Sequence, residues 1–423
     1  MTTDTKIIKD ISCNDDFDPE SLLVENAVNK ILSVAKEIND ETEIEIKESL
    51  GRILNKAVTA TINVPGHTNS AMDGYAIRSH DIPSADFATL RVTGTSWAGK
   101  PFNKKIASGE CARIMTGAAL PEGTDTIVMQ EHVKIENNSI IIDAKNKPGQ
   151  NVRYAGEDIK KGALVLNKGK KISAADMGLL ASIGVKKIYA KRKIKVSYFS
   201  TGDELASLDD SLKKGQIYNS NRYTLCGMLK NINAKITDLG NIPDNKNKIK
   251  DTLIEASKTS DVVITSGGVS VGDADYVKDI VSEIGEVNFW KVAMKPGRPL
   301  AFGKINNTCF FGLPGNPVSV MVTFYMFVQP ALFKMMGQDE SNMLRLQVRC
   351  LDHLRKRPGR VEFQRGVMSL NDKNLYEVSK TGSQGSGILT SMSEANCFIV
   401  LPLDAESIKP GDTVTVIPFA SLI

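Results

Sequence analysis

A chain of 423 residues is too long for a single hydrophobic core and calls for about two to four domains. Its composition is that of an ordinary soluble protein, with 41% apolar and 24% charged residues and no low-complexity stretch. A formal charge of only +4 suits small anionic ligands better than a nucleic-acid polymer. Six scattered cysteines (Cys13, Cys111, Cys226, Cys309, Cys350, Cys397) form no C-x-x-C pair, and four histidines (His67, His80, His132, His353) form no H-x-x-x-H pair. A zinc site and a disulfide framework are both disfavoured.

In chain order, residues 1–18 read as a polar tail; they are acidic and lack the apolar segment of a signal peptide. A helix is predicted from Pro19, because Leu23, Ala27, Ile31, Val34 and Ile38 recur at three- and four-residue steps. A short alternating segment at 43–47 leads into an expected helical turn at 50–54. Residues 57–145 carry short apolar runs (90–92, 112–115, 126–129, 139–142) cut by Gly, Pro, Asn and Asp, the mark of a β-rich module. Residues 146–172, studded with Gly and Lys, read as hairpins or a connector.

Ser173 and Asp176 then form an S-x-x-D capping box for a helix through Leu180. From there strands (194–199, 236–239, 262–265, 287–292, 299–302, 310–311) alternate with helices (219–232, 245–257, from Tyr276, from Pro317). This alternation predicts a parallel sheet covered on both faces. The last 80 or so residues return to short strands and predict a terminal β-barrel or sandwich. The basic runs at 186–195 and 355–360 hold a single aromatic between them, Tyr189, and read as solvated faces and turns rather than a stacking platform. The longest apolar run, 318–328, is too short to cross a bilayer, so a cytoplasmic protein with no membrane or nucleic-acid partner is expected.

In an open parallel sheet, ligands gather past the carboxyl ends of the strands. Residues 261–276 (DVVITSGGVSVGDADY) place Gly267, Gly268 and Ser270 between a strand and a helix start, which makes an anion-binding corner, with Asp273 and Asp275 beside it. Other strand ends bring Glu204, then Asp244, then the cations Lys291, Lys295 and Arg298, then the loop Gly312-Leu313-Pro314-Gly315-Asn316-Pro317. Carboxylates and cations at one edge are the inventory for a phosphate-bearing substrate with Mg²⁺. Taken singly, each has a plainer alternative. Glu204 could close a capping box with Thr201, Asp244 could be a helix N-cap, and Lys295 and Arg298 could sit on a surface turn. The segment Gly268-Val269-Ser270-Val271-Gly272 also fits the G-x-S-x-G nucleophile elbow, but His353 beside Asp352 is the only downstream histidine, so a serine hydrolase is disfavoured. There is no Walker A or G-x-G-x-x-G motif.

Six stretches, SGGVSVGDADYVK (266–278), KPGRPLAFG (295–303), GLPGNPVS (312–319), NSAMDGYA (69–76), RIMTGAALPEG (113–123) and STGDEL (200–205), closely resemble the molybdopterin molybdenumtransferase family, MoeA in bacteria and the gephyrin E-domain in animals. The resemblance runs from about residue 20 to the C-terminus. It implies an elongated homodimer: a linker or dimerisation domain from 19–56 and 146–172, a β-rich module at 57–145, an α/β molybdopterin-binding domain at 173–338 resembling the molybdopterin-adenylyltransferase fold, and a C-terminal β-barrel at 339–423. It also implies that molybdate is inserted into adenylated molybdopterin, with Mg²⁺-assisted release of AMP. The family's acids fall on Asp73, Asp158, Glu204, Asp244 and Asp275, the last three as metal ligands, and its functional threonine on Thr116. Its anion-handling positions fall on Ser270, Lys291, Lys295, Arg298, Arg365 and Ser386, while Pro314 and Pro317 frame a substrate loop. Arg298 stands where Lys is common, and Asp273 where Glu is also common. A scaffold of the gephyrin type and a molybdopterin adenylyltransferase are the alternatives; a partner adenylyltransferase and acceptor molybdoenzymes are further partners the resemblance allows.

Overall fold

Short β-branched runs cut by glycine build the first of two compact units, residues 43–50 and 54–190, and they alternate faces as a sheet requires. The structure, a computed structural model, describes residues 20–268, 276–338 and 343–422. In this unit six strands run in the order Thr126–Met129, Gly74–Ile77, Glu110–Ile114, Phe87–Ser96, Ser139–Asp143, Lys134–Glu136. Tyr75 and Ile77 join Leu90, Val128 and Ile140 in one core, whereas Ala76 packs with Ile114 and Ile127 in another. The predicted capping box is present. Ser173 Oγ accepts from the Asp176 N–H (3.3 Å) and Asp176 Oδ2 accepts from the Ser173 N–H (2.8 Å), opening the helix Ala174–Ser182. That helix buries Leu180 against Ile44, Leu54 and Ile188, so it belongs to this unit. The helical turn expected at 50–54 falls instead at Ile46–Glu48, and Leu54 forms a β-bridge with Ala190.

In the other unit, six strands form one sheet in the order Lys235–Ile242, Lys195–Thr201, Val262–Ser266, Thr308–Leu313, Pro299–Ile305, Glu286–Lys291. The first four are parallel, but Pro299–Ile305 is antiparallel to both its neighbours, so the sheet is mixed rather than wholly parallel. The reason is local. Ile305 pairs with Thr308 across the two residues Asn306 and Asn307, Asn306 taking a φ of +54°, and so short a link can join only antiparallel strands. Because the antiparallel strand reverses direction twice, Glu286–Lys291 again ends at the same edge as the parallel four.

Both faces are covered. Val196, Tyr198, Ile264 and Phe311 pack with the helix Ser220–Asn231 and the long helical stretch from Pro317, while Phe199, Val263 and Phe310 pack with Lys246–Thr259 and Tyr276–Ile284. The helix Val24–Val34 adds Ala27 and Ile31 to the first of these cores. It stops short of Ile38, whose N–H donates instead to Met335 O at 2.8 Å. The stretch Pro317–Met335 is long and apolar enough to cross a membrane, but it is mostly buried inside the protein, as a core helix is. It continues past Pro330 because a π-helical turn at Phe324–Val328 shifts the ladder just before the residue that has no N–H.

The C-terminal strands Leu346–Cys350, Val361–Leu370, Tyr376–Lys380, Cys397–Leu401 and Thr413–Pro418 close into a five-stranded barrel, because Val361–Leu370 pairs with both Tyr376–Lys380 and Cys397–Leu401. A sixth, two-residue strand, Met294–Lys295, adds in parallel to Val361 and Glu362. Ser173→Ala should lower the stability of the 54–190 unit by about 1 kcal/mol, seen as an earlier urea midpoint. An unchanged midpoint would show that the box adds nothing.

Candidate functional site

The carboxyl edge of the mixed sheet opens into a cleft of about 870 Å³. Register explains why so many loops meet there: Ser200 pairs with Ser266, Ser266 with Leu313, and Lys291 with Pro299, so the strands stop nearly level. The glycine corner forms the floor. Gly267 and Gly268 take φ values of +88° and +71°, and a Cβ at Gly267 would lie 2.7 Å from Thr201 O, while one at Gly268 would lie 2.4 Å from Val277 Cγ2. Only glycine fits at either position.

One wall is acidic. Glu204 leads into a short strand, Leu205–Ala206, so there is no helix for it to cap. Asp244 does not cap the next helix either; Asn245 does, its Oδ1 accepting from the Lys248 N–H at 3.1 Å. The Asp244 N–H donates to Asp203 Oδ1 at 3.3 Å. Burial, together with the charges of Asp203 and Glu204, holds the Asp244 carboxyl above the usual carboxylate range. Both Glu204 and Asp244 line the cleft. Among the described residues, no three His, Cys, Asp or Glu side chains converge closely enough to hold a metal ion by themselves.

The facing wall is cationic. Lys295, Arg298 and Arg360 line it, and Lys295 Nζ lies 3.3 Å from Glu362 Oε1. Pro314 and Pro317 frame the third side, Pro317 in the first turn of its helix. Asn221 Nδ2 donates to Gly315 O at 2.7 Å and fixes that loop. Ser386 completes the rim, its carbonyl accepting from the Val318 N–H at 3.1 Å.

Two of the expected anion-handling residues lie off the cleft wall. Arg365 is buried: its Nε donates to Ser391 Oγ (3.0 Å) and its Nη2 to Gly385 O (3.0 Å), so it ties down the loop that carries Ser386. Burial lowers its guanidinium to about 10. Lys291 ends its strand half-exposed, 3.8 Å from Glu20, and does not line the cleft. Ser270, Asp273 and Asp275 lie outside the described residues.

Asp73, Thr116 and Asp158 belong to the 54–190 unit. There Asp73 Oδ1 accepts from both the Thr116 N–H and Thr116 Oγ, each at 2.8 Å, and these bonds, backbone first, hold the carboxyl below its ordinary range. Asp158 is an exposed turn residue whose N–H donates to Val64 O at 3.1 Å.

Several cleft residues go beyond the sequence expectations. Asn219 caps the helix Ser220–Asn231 through Oδ1 and donates from Nδ2 to Asn241 Oδ1 at 2.5 Å; its place just before a helical run is the available signal. Arg360 ends a basic run expected to be solvated, a run that also holds Lys356, which is buried with Nζ donating to Arg357 O at 2.6 Å. In the other basic run, Lys191 is buried against Glu37 at 2.7 Å.

Comparison with known proteins agrees with the geometry along the chain. Residues 22–184 match the MoeA N-terminal region (domains I and II), 197–334 a probable molybdopterin binding domain, and 347–419 the MoeA C-terminal region (domain IV). The chain is 42% identical over 404 residues to the Haemophilus influenzae molybdopterin molybdenumtransferase, covering 95% of this chain and all of that one. It is 39% identical to Dictyostelium discoideum gephyrin, covering 93% of this chain and 62% of that protein. The crystal structure of a molybdopterin biosynthesis MoeA protein from Pyrococcus horikoshii superposes with a TM-score of 0.81 at 29% identity, covering 94% of this chain and all of that one.

Because its carboxyl is raised, Asp244 holds its proton more tightly in the folded chain than in the unfolded one. Its ionisation therefore opposes folding above the folded-state pKa, and the penalty is gone below the unfolded value. Asp244→Asn should raise the melting temperature near about pH 7 and leave it unchanged near about pH 3, and an equal rise at both would refute the charge argument. Thr116→Val keeps the N–H bond to Asp73 and removes the hydroxyl bond. Carbon-13 NMR titration should then find the Asp73 carboxyl moved part of the way up towards its ordinary value; no movement would show the hydroxyl to be idle.

Proposed function

This chain belongs to the molybdopterin molybdenumtransferase (MoeA) family, an enzyme of molybdenum cofactor biosynthesis, and we propose that the cleft at its sheet edge is where molybdate enters adenylated molybdopterin and AMP leaves. The observation that carries this reading is one cleft with a cationic wall of Lys295, Arg298 and Arg360, an acidic wall of Glu204 and Asp244, and a glycine floor. Molybdate and the phosphate diester are both anions and repel each other as they meet. Three cations on one wall offset that repulsion, and they do so most where the cleft excludes water. Arg298 and Arg360 can each grip an oxyanion through two parallel N–H bonds, whereas Lys295 acts as a point charge. The glycine floor, bare of side chains, lets a phosphate approach the backbone closely, although the Gly267 N–H itself donates to Leu313 O at 3.1 Å.

Mg²⁺ fits the acidic wall by donor chemistry. Asp244 is raised first by burial and then by the charges of Asp203 and Glu204, and a divalent cation bound beside these hard carboxylate oxygens would offset both. Glu204 and Asp244 would hold it, with Asp275 as the third acid. When bound, Mg²⁺ supplies positive charge to the pyrophosphate. Asp73, kept ionised by Thr116, and Asp158 are proposed to serve the same reaction. The proposed assembly is a cytoplasmic homodimer.

Incubation with adenylated molybdopterin, molybdate and Mg²⁺ should release AMP and yield molybdenum cofactor; no AMP under these conditions overturns the reading. Glu204→Ala should slow AMP release by about 100-fold with the fold intact by circular dichroism.

A further inference from the structure

Lys295 is not a solitary cleft cation. The two-residue strand Met294–Lys295 pairs in parallel with Val361–Glu362 of the barrel, and the Val361 N–H donates to Ala293 O at 2.9 Å. That register brings Glu362 beside Lys295. The Glu362 side chain is only 6% exposed, while that of Lys295 is 51% exposed and lines the cleft. One carboxylate oxygen, Oε1, faces Lys295 Nζ at 3.3 Å; the other, Oε2, accepts from Gln364 Nε2 at 3.0 Å. Gln364 is itself held, with Nε2 donating to Arg355 O at 3.3 Å.

A carboxylate this buried needs a counter-charge, and Lys295 supplies it. The ammonium is therefore shared between a fixed internal anion and whatever anion enters the cleft. We infer that Glu362 is a positioning residue that holds Lys295 at the cleft wall and competes with the incoming oxyanion for it, setting how tightly the site grips its anions. This inference rests on the proposed anion-binding role of the cleft. An oxyanion entering the cleft draws Lys295 away from Glu362 without leaving that carboxylate wholly unpartnered, because Gln364 stays. As the oxyanion leaves, Glu362 takes the ammonium back. The carboxylate thus weakens ground-state binding and speeds release of an anionic product.

The test uses the full chain and two probes, AMP and molybdate, with binding followed by calorimetry at low and moderate salt. Glu362→Gln keeps the side-chain shape and removes the charge. It should bind AMP about tenfold more tightly than the wild type, with a larger gain at low salt. In turnover, KM for the adenylated substrate should fall and kcat should fall with it once release limits the rate. The gain should vanish in the double variant Glu362→Gln with Lys295→Met, which carries neither charge. Glu362→Asp, whose carboxylate is drawn back from Nζ, should show a smaller gain and covers the case in which the Gln variant fails to fold. A wild type that binds AMP, paired with variants that bind it equally well or more weakly, overturns the inference and leaves the proposed function standing. A wild type that binds neither AMP nor molybdate overturns both. If neither single variant folds, Glu362 is a packing residue and the inference falls.

Discussion

The level ending of the central strands is the constraint on which the cleft depends. Buried ladders from Val196 to Ser200, from Val262 to Ser266 and from Cys309 to Leu313 lock together in parallel register, and a slip of one residue would turn every core side chain to the wrong face. With the register fixed, each strand must release its chain at the same edge. The acidic turn, the glycine floor and the cationic loop meet because the apolar packing leaves them no other exit. Chemistry at the edge is thus a consequence of burial several residues away.

That dependence explains what can be read from residue order alone. Strands buried on both faces announce themselves as unbroken apolar runs, and Val262–Ser266 is buried at every position. Helix caps are only partly legible: the Ser173 box is present as expected, whereas the next helices are capped by Asn219 and by Asn245, one residue past the candidate Asp244. Strand direction is harder. The Asn306-Asn307 pair between two apolar runs is a hairpin signal, yet it lies inside a pattern that otherwise alternates strand and helix. The edge argument survives this because two reversals restore direction.

Residues of the site divide the same way. Glu204, Asp244, Gly267, Gly268, Lys295, Arg298, Pro314, Pro317 and Ser386 are legible as strand-end residues or motif matches, and all of them line the cleft. Arg365 and Arg360 sit five residues apart on one barrel segment, and residue order does not say which faces inwards. Position 365 lies within the strand Val361–Leu370 on the same face as Phe363, where its side chain is buried against the Ser383–Ser391 loop, whereas position 360 precedes the strand and lines the cleft. Lys291, at the end of its strand, lies 3.8 Å from Glu20 instead of lining the cleft. Asn221 is hidden because its partner, Gly315, is 94 residues away.

The pairing of Met294–Lys295 with Val361–Glu362 also bears on the order in which a growing chain becomes competent. Lys295 and Glu362 are 67 residues apart, and Ser386 lies further on still. The sheet's own ladder joins Ser200 to Ser266, 66 residues apart, so separation alone does not set the barrel apart; its strands simply come later in the chain than those of the sheet. During synthesis the sheet and its glycine corner are complete before the barrel is made, and Lys295 then lacks Glu362 while the cleft lacks Arg360 and Ser386. A half-made chain therefore presents the cationic loop without the carboxylate that faces Lys295. Assembly of the barrel is the event that completes the lining of the cleft.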